Sequence, residues 1–331
     1  MDTIGTLGEF GLIARLAQRV DAARLEPPAH AGFRLLIGIG DDAAAWRLEG
    51  GVEVGTTDTA VAGVHFPERP DDWAAVGWKL WAANVSDVIA MGGMPLVGLV
   101  TLGLPGALSV SAVDALYDGM LEACAAYRTL LVGGDVVSAR EPFITVAMTG
   151  VCTGPLLRRD EARLGDAIAV AAPLGGPAGG LRLQEGGVPA DPLAAGALRA
   201  AFERPAPVAT DGRALVAAGV ACAMDISDGL VADLSRMCAA SGVGGVVEAG
   251  NVPLHPALAA CFPDEALSLA LGSGEEYRLL FTAPPSVMAR ALASLPTARV
   301  VGRIEAGSGV RVMDAQGAPV SLAHTGWEHL R

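Results

Sequence analysis

Apolar residues recur at helical spacing from Gly8 to Val20, at Phe10, Ile13, Leu16 and Val20, and predict an amphipathic helix. Trp73–Met91 and Val113–Tyr127 carry the same period, the first with Trp78, Leu80, Trp81 and Val85 as packing residues. Shorter apolar runs predict strands at Phe33–Ile39, Val52–Thr57, Leu96–Leu104, Leu130–Gly133 and Phe143–Cys152. A boundary is expected at Gly154 and Pro155, which divides the chain into residues 1–154 and 155–331. The second half opens on the apolar run Ala167–Ala172. A turn and helix follow over Asp225–Ala240, with Leu230, Leu234 and Met237 on one face. Strand, helix and strand are expected at Tyr277–Thr282, Ser286–Leu295 and Arg299–Ile304. The pattern is that of two α/β or α+β domains.

Composition narrows the function. Of 331 residues, 52% are hydrophobic, which supplies a large core and excludes a disordered chain. A formal net charge of -13 argues against nucleic acid and against anionic membrane surfaces as partners. The N-terminus shows no basic-then-apolar leader, and the stretch from Val76 to Val110 is broken by Lys79, Asn84 and Asp87. A soluble cytoplasmic protein is expected. Five scattered cysteines without a CxxC pair fit buried thiols better than zinc or disulfides. The chain has one lysine, Lys79, and it does not follow a glycine. That excludes a Walker A loop and the protein-kinase signature, so any nucleotide chemistry must draw positive charge from metal ions.

The distinctive signal is a set of acidic residues closing apolar runs beside Gly, Ser or Thr. Asp41 and Asp42 follow Gly38-Ile39-Gly40, and Asp58 follows Thr56-Thr57. Asp87 follows Asn84-Val85-Ser86, Asp135 follows Gly133-Gly134, and Asp225 and Asp228 flank Ser227. Taken singly, each is accounted for by a turn or a helix cap. Taken together, they fit the oxygen-rich surroundings that Mg²⁺ shares with substrate phosphates. Both readings stay open on the residues alone. The same holds for the acidic turn Gly272–Tyr277, for His65 in a loop, for Arg159, and for Trp327 near the C-terminus.

The motifs GEFGLIARL, GIGDDAA, TTDTAVAGVHF, ANVSDVIAMGG, LVGGD, DISDGLVADL, GSGEEYRLLFT and GWEHL occur in one order from Gly8 to His329. That series resembles the thiamine-monophosphate kinases of the aminoimidazole-ribonucleotide synthetase-like superfamily. The resemblance implies a two-domain fold whose N-terminal strands pair across a homodimer, with the active site in the cleft between the domains. It implies transfer of a phosphoryl group from ATP to thiamine monophosphate with Mg²⁺. Carried over by position, Asp42, Thr57, Asp58, Asp87, Asp135 and Asp225 resemble magnesium ligands, assisted by Thr56 and Asp228. Asp87, Asp135 and Asp225 would then be the residues on which turnover depends. Gly134, Asp135, Arg159, Ser227 and Tyr117 resemble ATP contacts. His65, Glu275 and Trp327 resemble contacts to thiamine phosphate.

Three departures from the family pattern stand out. Glu276 replaces an aspartate within Gly-Ser-Gly-Glu-Glu-Tyr, where the serine has also moved; Val136 replaces a threonine; and Glu328 stands where aspartate is common. Other readings are a second superfamily enzyme with a different phosphate acceptor, a hydrolase using the same metals, and a non-catalytic nucleotide-binding relative. Selenophosphate synthetases typically use an N-terminal Cys and a lysine, whereas here no Cys precedes Cys124.

Overall fold

The computed structural model describes residues 3–39, 44–186, 191–322 and 324–327. The chain divides into two compact units, Met1–Val88 with Gly93–Thr153, and Ile89–Gly92 with Gly154–Arg331.

The first unit runs α1 (Ile4–Leu7), α2 (Glu9–Ala22), β1 (Arg34–Ile37), β2 (Ala45–Arg47), β3 (Val52–Val61), α3 (Trp73–Ala90), β4 (Met94–Leu104), α4 (Val110–Tyr127), β5 (Leu130–Ser138) and β6 (Phe143–Cys152). Four strands form a sheet in the order β3-β6-β4-β5, antiparallel except between β4 and β5. The three periodic segments become α2, α3 and α4, as their apolar spacing predicts. Trp81 of α3 is fully buried against the sheet at Gly98, where a Cβ would lie 2.5 Å from the indole. Its Nε1 donates to Thr129 Oγ1 at 2.9 Å, so the ring is buried with its polar atom satisfied. Helices α3 and α4 approach backbone to backbone at Gly119, where a Cβ would meet Ala74 O at 1.9 Å. Helix α2 is held on α4 by forked pairs, Arg15 to Asp114 and Arg19 to Asp118. These partly buried pairs fix the orientation of α2 on α4 through two-pronged geometry.

Two strands run further than their apolar content predicts. β3 continues past Thr57 to Val61, and β5 continues past Gly133 to Ser138. Asp58 and Asp135 therefore lie inside strands rather than at their ends. The cause is ladder pairing, Asp58 opposite Val146 and Asp135 opposite Thr101, which a local apolar count does not see. Gly134 is required there by close approach, since a Cβ would sit 1.9 Å from Val100 O of β4.

The second unit runs β7 (Ala167–Val170), α5 (Gly176–Gln184), α6 (Pro192–Glu203), α7 (Asp211–Ala218), β8 (Cys222–Asp225), α8 (Leu230–Ser241), β9 (Gly244–Glu248), α9 (Pro256–Cys261), α10 (Ala266–Gly272), β10 (Leu279–Ala283), α11 (Pro285–Ser294), β11 (Arg299–Glu305) and β12 (Gly309–Met313). Its six-stranded sheet has the order β12-β9-β11-β7-β10-β8, antiparallel except between β12 and β9. Leu198, Leu234, Met237, Leu258, Leu280 and Val301 are fully buried in its core. Strand β10 begins at Leu279 rather than at Tyr277, because Glu275 (φ 62°) and Tyr277 (φ 48°) adopt left-handed backbone that ends the extended run.

All five cysteines are free thiols, four of them buried. Among the described residues no helix is long and apolar enough to cross a membrane.

Candidate active site

In the first unit, alternation along β3 places Thr56 and Asp58 on one face and Thr57 on the other. Thr56 Oγ1 donates to Asp87 Oδ2 of α3 at 2.5 Å, which identifies the helix-covered face. Asp58, two residues on, shares that side. Thr57 is exposed on the opposite face, and its hydroxyl donates to Val146 O at 3.1 Å. Asp135 pairs with Thr101, in register with Thr145 and Thr59, and so belongs to the Thr57 face. Its Oδ1 accepts from the N–H of Val136 at 2.9 Å. The first unit thus gathers Thr56, Asp58 and Asp87, and sets Thr57 and Asp135 apart from them. Asp42 lies outside the described residues.

His65 follows β3, and its Nδ1 accepts from Val61 N at 3.1 Å. That bond fixes the neutral tautomer with its proton on Nε2. Tyr117 is buried in α4, and desolvation pushes its phenol up from the ordinary range. On the exposed sheet face, a groove of about 600 Å³ is lined by Trp46, Gly55, Thr57, Leu99, Ala147 and Thr149, among others.

In the second unit the candidates converge on one turn. β8 delivers Asp225, which is buried, and α8 starts five residues later, with Ser227 and Asp228 in between. The turn's carbonyls are tied to two other segments. Ile226 O accepts from Tyr277 N at 2.9 Å and Ser227 O from Glu275 N at 2.7 Å. Asp228 O accepts from Trp327 N at 3.0 Å. Main-chain bonds alone therefore hold Asp225, Ser227, Asp228, Glu275 and Trp327 in one place. The fit is close enough that a Cβ on Gly274 would meet Ser227 O at 2.1 Å. Arg159 is not drawn into this group by its backbone. Its carbonyl accepts from Ser241 Oγ at the far end of α8, about 18 Å of helix from the turn.

Two residues of this site were not singled out by motif. Asp233 is wholly buried, and its Oδ2 accepts from the N–H groups of Ser227, Asp228 and Gly229 at 3.1, 3.0 and 3.1 Å. Arg236 Nη1 lies 2.5 Å from both Asp233 Oδ1 and Asp228 Oδ2. In sequence, both read as ordinary polar positions of an amphipathic helix. Their one local signal is the spacing from Asp228 in DGLVADLSR. Glu276 is likewise buried, and its Oε1 accepts from Gly175 N at 2.5 Å at the start of α5. Burial pushes its carboxyl up to about 8, against the pull of that N–H and of Arg278.

Among the described residues no three His, Cys, Asp or Glu side chains converge as a ready-made metal cage. The donors present are oxygens, and the Thr56–Asp87 contact places a hydroxyl and a carboxylate where one hard cation could share them.

Residues 40–152 match the AIR synthase related protein N-terminal domain, and residues 163–315 its C-terminal domain. The chain is 33% identical to the thiamine-monophosphate kinase of Aquifex aeolicus, over 98% of each chain. It is 34% identical to that of Escherichia coli strain K12, over 97% of this chain and 98% of the other. The crystal structure of thiamine-monophosphate kinase from Stenotrophomonas maltophilia superposes with a TM-score of 0.78 at 36% identity, covering 92% of this chain and 96% of that one. AaThiL complexed with AMPPCP and TMP gives 0.77 at 33% identity, covering 100% and 99%. By two matched domains and near full-length identity, the chain belongs to the thiamine-monophosphate kinase family, on the two-domain AIR-synthase-related α/β fold.

Proposed function

We propose that the chain transfers the γ-phosphoryl group of ATP to thiamine monophosphate, giving thiamine diphosphate and ADP, in a magnesium-dependent cytoplasmic reaction. The observation that carries this reading is the turn 225–229. Its main chain binds the segments of Glu275 and Trp327, so residues suited to nucleotide and metal stand beside residues suited to the acceptor. The relative whose structure holds AMPPCP and TMP supports that pairing of substrates.

Asp42, Thr56, Thr57, Asp58, Asp87, Asp135, Asp225 and Asp228 are the oxygen donors assigned to Mg²⁺. When bound, the ions would offset the charge of two polyanions in a chain with a single lysine. The acceptor phosphate is largely ionised at neutral pH, its second pKa being about 6, so the protein need not supply a strong base. Its residues act by positioning for in-line transfer. Gly134, Asp135, Arg159, Ser227 and Tyr117 are assigned to ATP, Arg159 through the fork that suits a phosphate. His65, with its proton on Nε2, and Glu275 serve the thiamine phosphate. Trp327, 54% exposed, offers an indole face to the cationic thiazolium.

Trp327→Ala is expected to raise the KM for thiamine monophosphate about 2–30-fold, the range a lost cation–π contact of about 0.5–2 kcal/mol allows. The KM for ATP should stay within about twofold. The opposite pattern in steady-state kinetics would remove Trp327 from the acceptor side. The strands of the first unit are assigned to pairing with those of a second copy of the chain in a homodimer. Sedimentation at the mass of one chain would contradict that assignment.

A further inference from the structure

We infer that Asp233 is a positioning residue that couples the nucleotide side of the site to the acceptor side while touching neither substrate. The inference rests on the kinase reading above and deepens it. One buried oxygen of Asp233 takes three successive amide protons, those of Ser227, Asp228 and Gly229. The carbonyls of the same turn are committed elsewhere. Ile226 O binds Tyr277 N, Ser227 O binds Glu275 N, and Asp228 O binds Trp327 N. The turn is therefore gripped on its amide side by Asp233 and on its carbonyl side by the two segments assigned to the acceptor.

The other oxygen of Asp233 holds Arg236, and the same Nη1 also holds the Asp228 carboxylate, so backbone and side chain of Asp228 are set by one residue. Asp233 is wholly buried beneath these four donors, so it presents no oxygen to a ligand. If its grip is lost, the turn is free to move relative to Asp225, and the attached Glu275 and Trp327 segments move with it. A 1 Å displacement of positioning groups is enough to cost about 10²-fold in rate.

The signature is a loss on both substrates from a residue that contacts neither. Asp233→Ala is expected to lower the affinity for Mg-AMPPCP and for thiamine monophosphate, each titrated alone by calorimetry, by at least about tenfold. Asp233→Asn keeps an oxygen for the three N–H groups and should restore both affinities to within about threefold. Asp228→Asn should weaken Mg-AMPPCP alone. An Asp233→Ala protein that folds and binds both ligands as tightly as wild type overturns this inference and leaves the kinase reading standing. A wild-type protein that binds neither ligand overturns both. If Asp233→Ala does not fold, amide exchange on the wild type carries the test. Mg-AMPPCP alone should slow exchange at residues 324–327 by at least about threefold, and unchanged exchange there overturns the coupling.

Discussion

Asp87→Asn is expected to lower kcat by about 10²–10³-fold, the size of several kcal/mol of lost charge stabilisation, with the fold intact. Asp87 is half-buried near the end of α3 and accepts from Thr56 Oγ1 at 2.5 Å. An asparagine oxygen can still accept from that hydroxyl, so the local structure and the melting temperature should hold. What the amide removes is the negative charge that a cation needs from its ligand. Turnover at saturating magnesium, measured beside a thermal melt, separates the two effects. Full activity in the variant would end the assignment of Asp87 to metal; a collapsed melt would make it a folding residue instead.

Stability should fall as pH rises from about 5 to about 9, and Glu276→Gln should remove most of that fall. Burial pushes the Glu276 carboxyl from its ordinary 4.5 up to about 8. Between those values the folded chain keeps a proton that the unfolded chain has released. The folded state thus binds more protons, and linkage makes stability decrease with rising pH across that window. Asp211, raised from 3.8 to about 6 by desolvation, adds the same sign at the acidic end. At about 1.4 kcal/mol per pH unit, the Glu276 contribution is on the order of 3–4 kcal/mol. Glutamine keeps the acceptor for Gly175 N and cannot ionise, so the variant should be the more stable protein at about pH 9. Urea unfolding near pH 5 and pH 9 measures this, and parallel curves for the two proteins would show that Glu276 does not titrate as described.

Much of this structure could be read from residue order. The periods at Trp73 and Val113 mark α3 and α4 because each helix buries a continuous apolar face. The alternation from Phe143 to Cys152 becomes β6 because Ile144, Val146 and Met148 are buried on one face while Ala147 stays exposed on the other. The acidic positions were legible as a set, but their environment was not. Asp58 and Asp135 were expected at strand ends and lie within β3 and β5, since hydrogen-bonded pairing extended both strands through polar and glycine residues. The alternation that separates Thr56 from Thr57 follows from that extension. Asp233 escaped notice because an aspartate in the first turn of a helix is ordinary. Its role depends on three amides folding back over it, and no spacing rule records that. Glu276 was visible as a replacement for aspartate, while its burial and its bond to Gly175, far away in sequence, were not.

The central claim is transfer between two specific substrates, and one assay addresses it directly. Purified protein is incubated with ATP and magnesium, with and without thiamine monophosphate, while ADP and thiamine diphosphate are followed together. The two products should appear in equal amounts and only when ATP, metal and acceptor are all present. ADP release that is indifferent to thiamine monophosphate, or no thiamine diphosphate at all, would contradict the account.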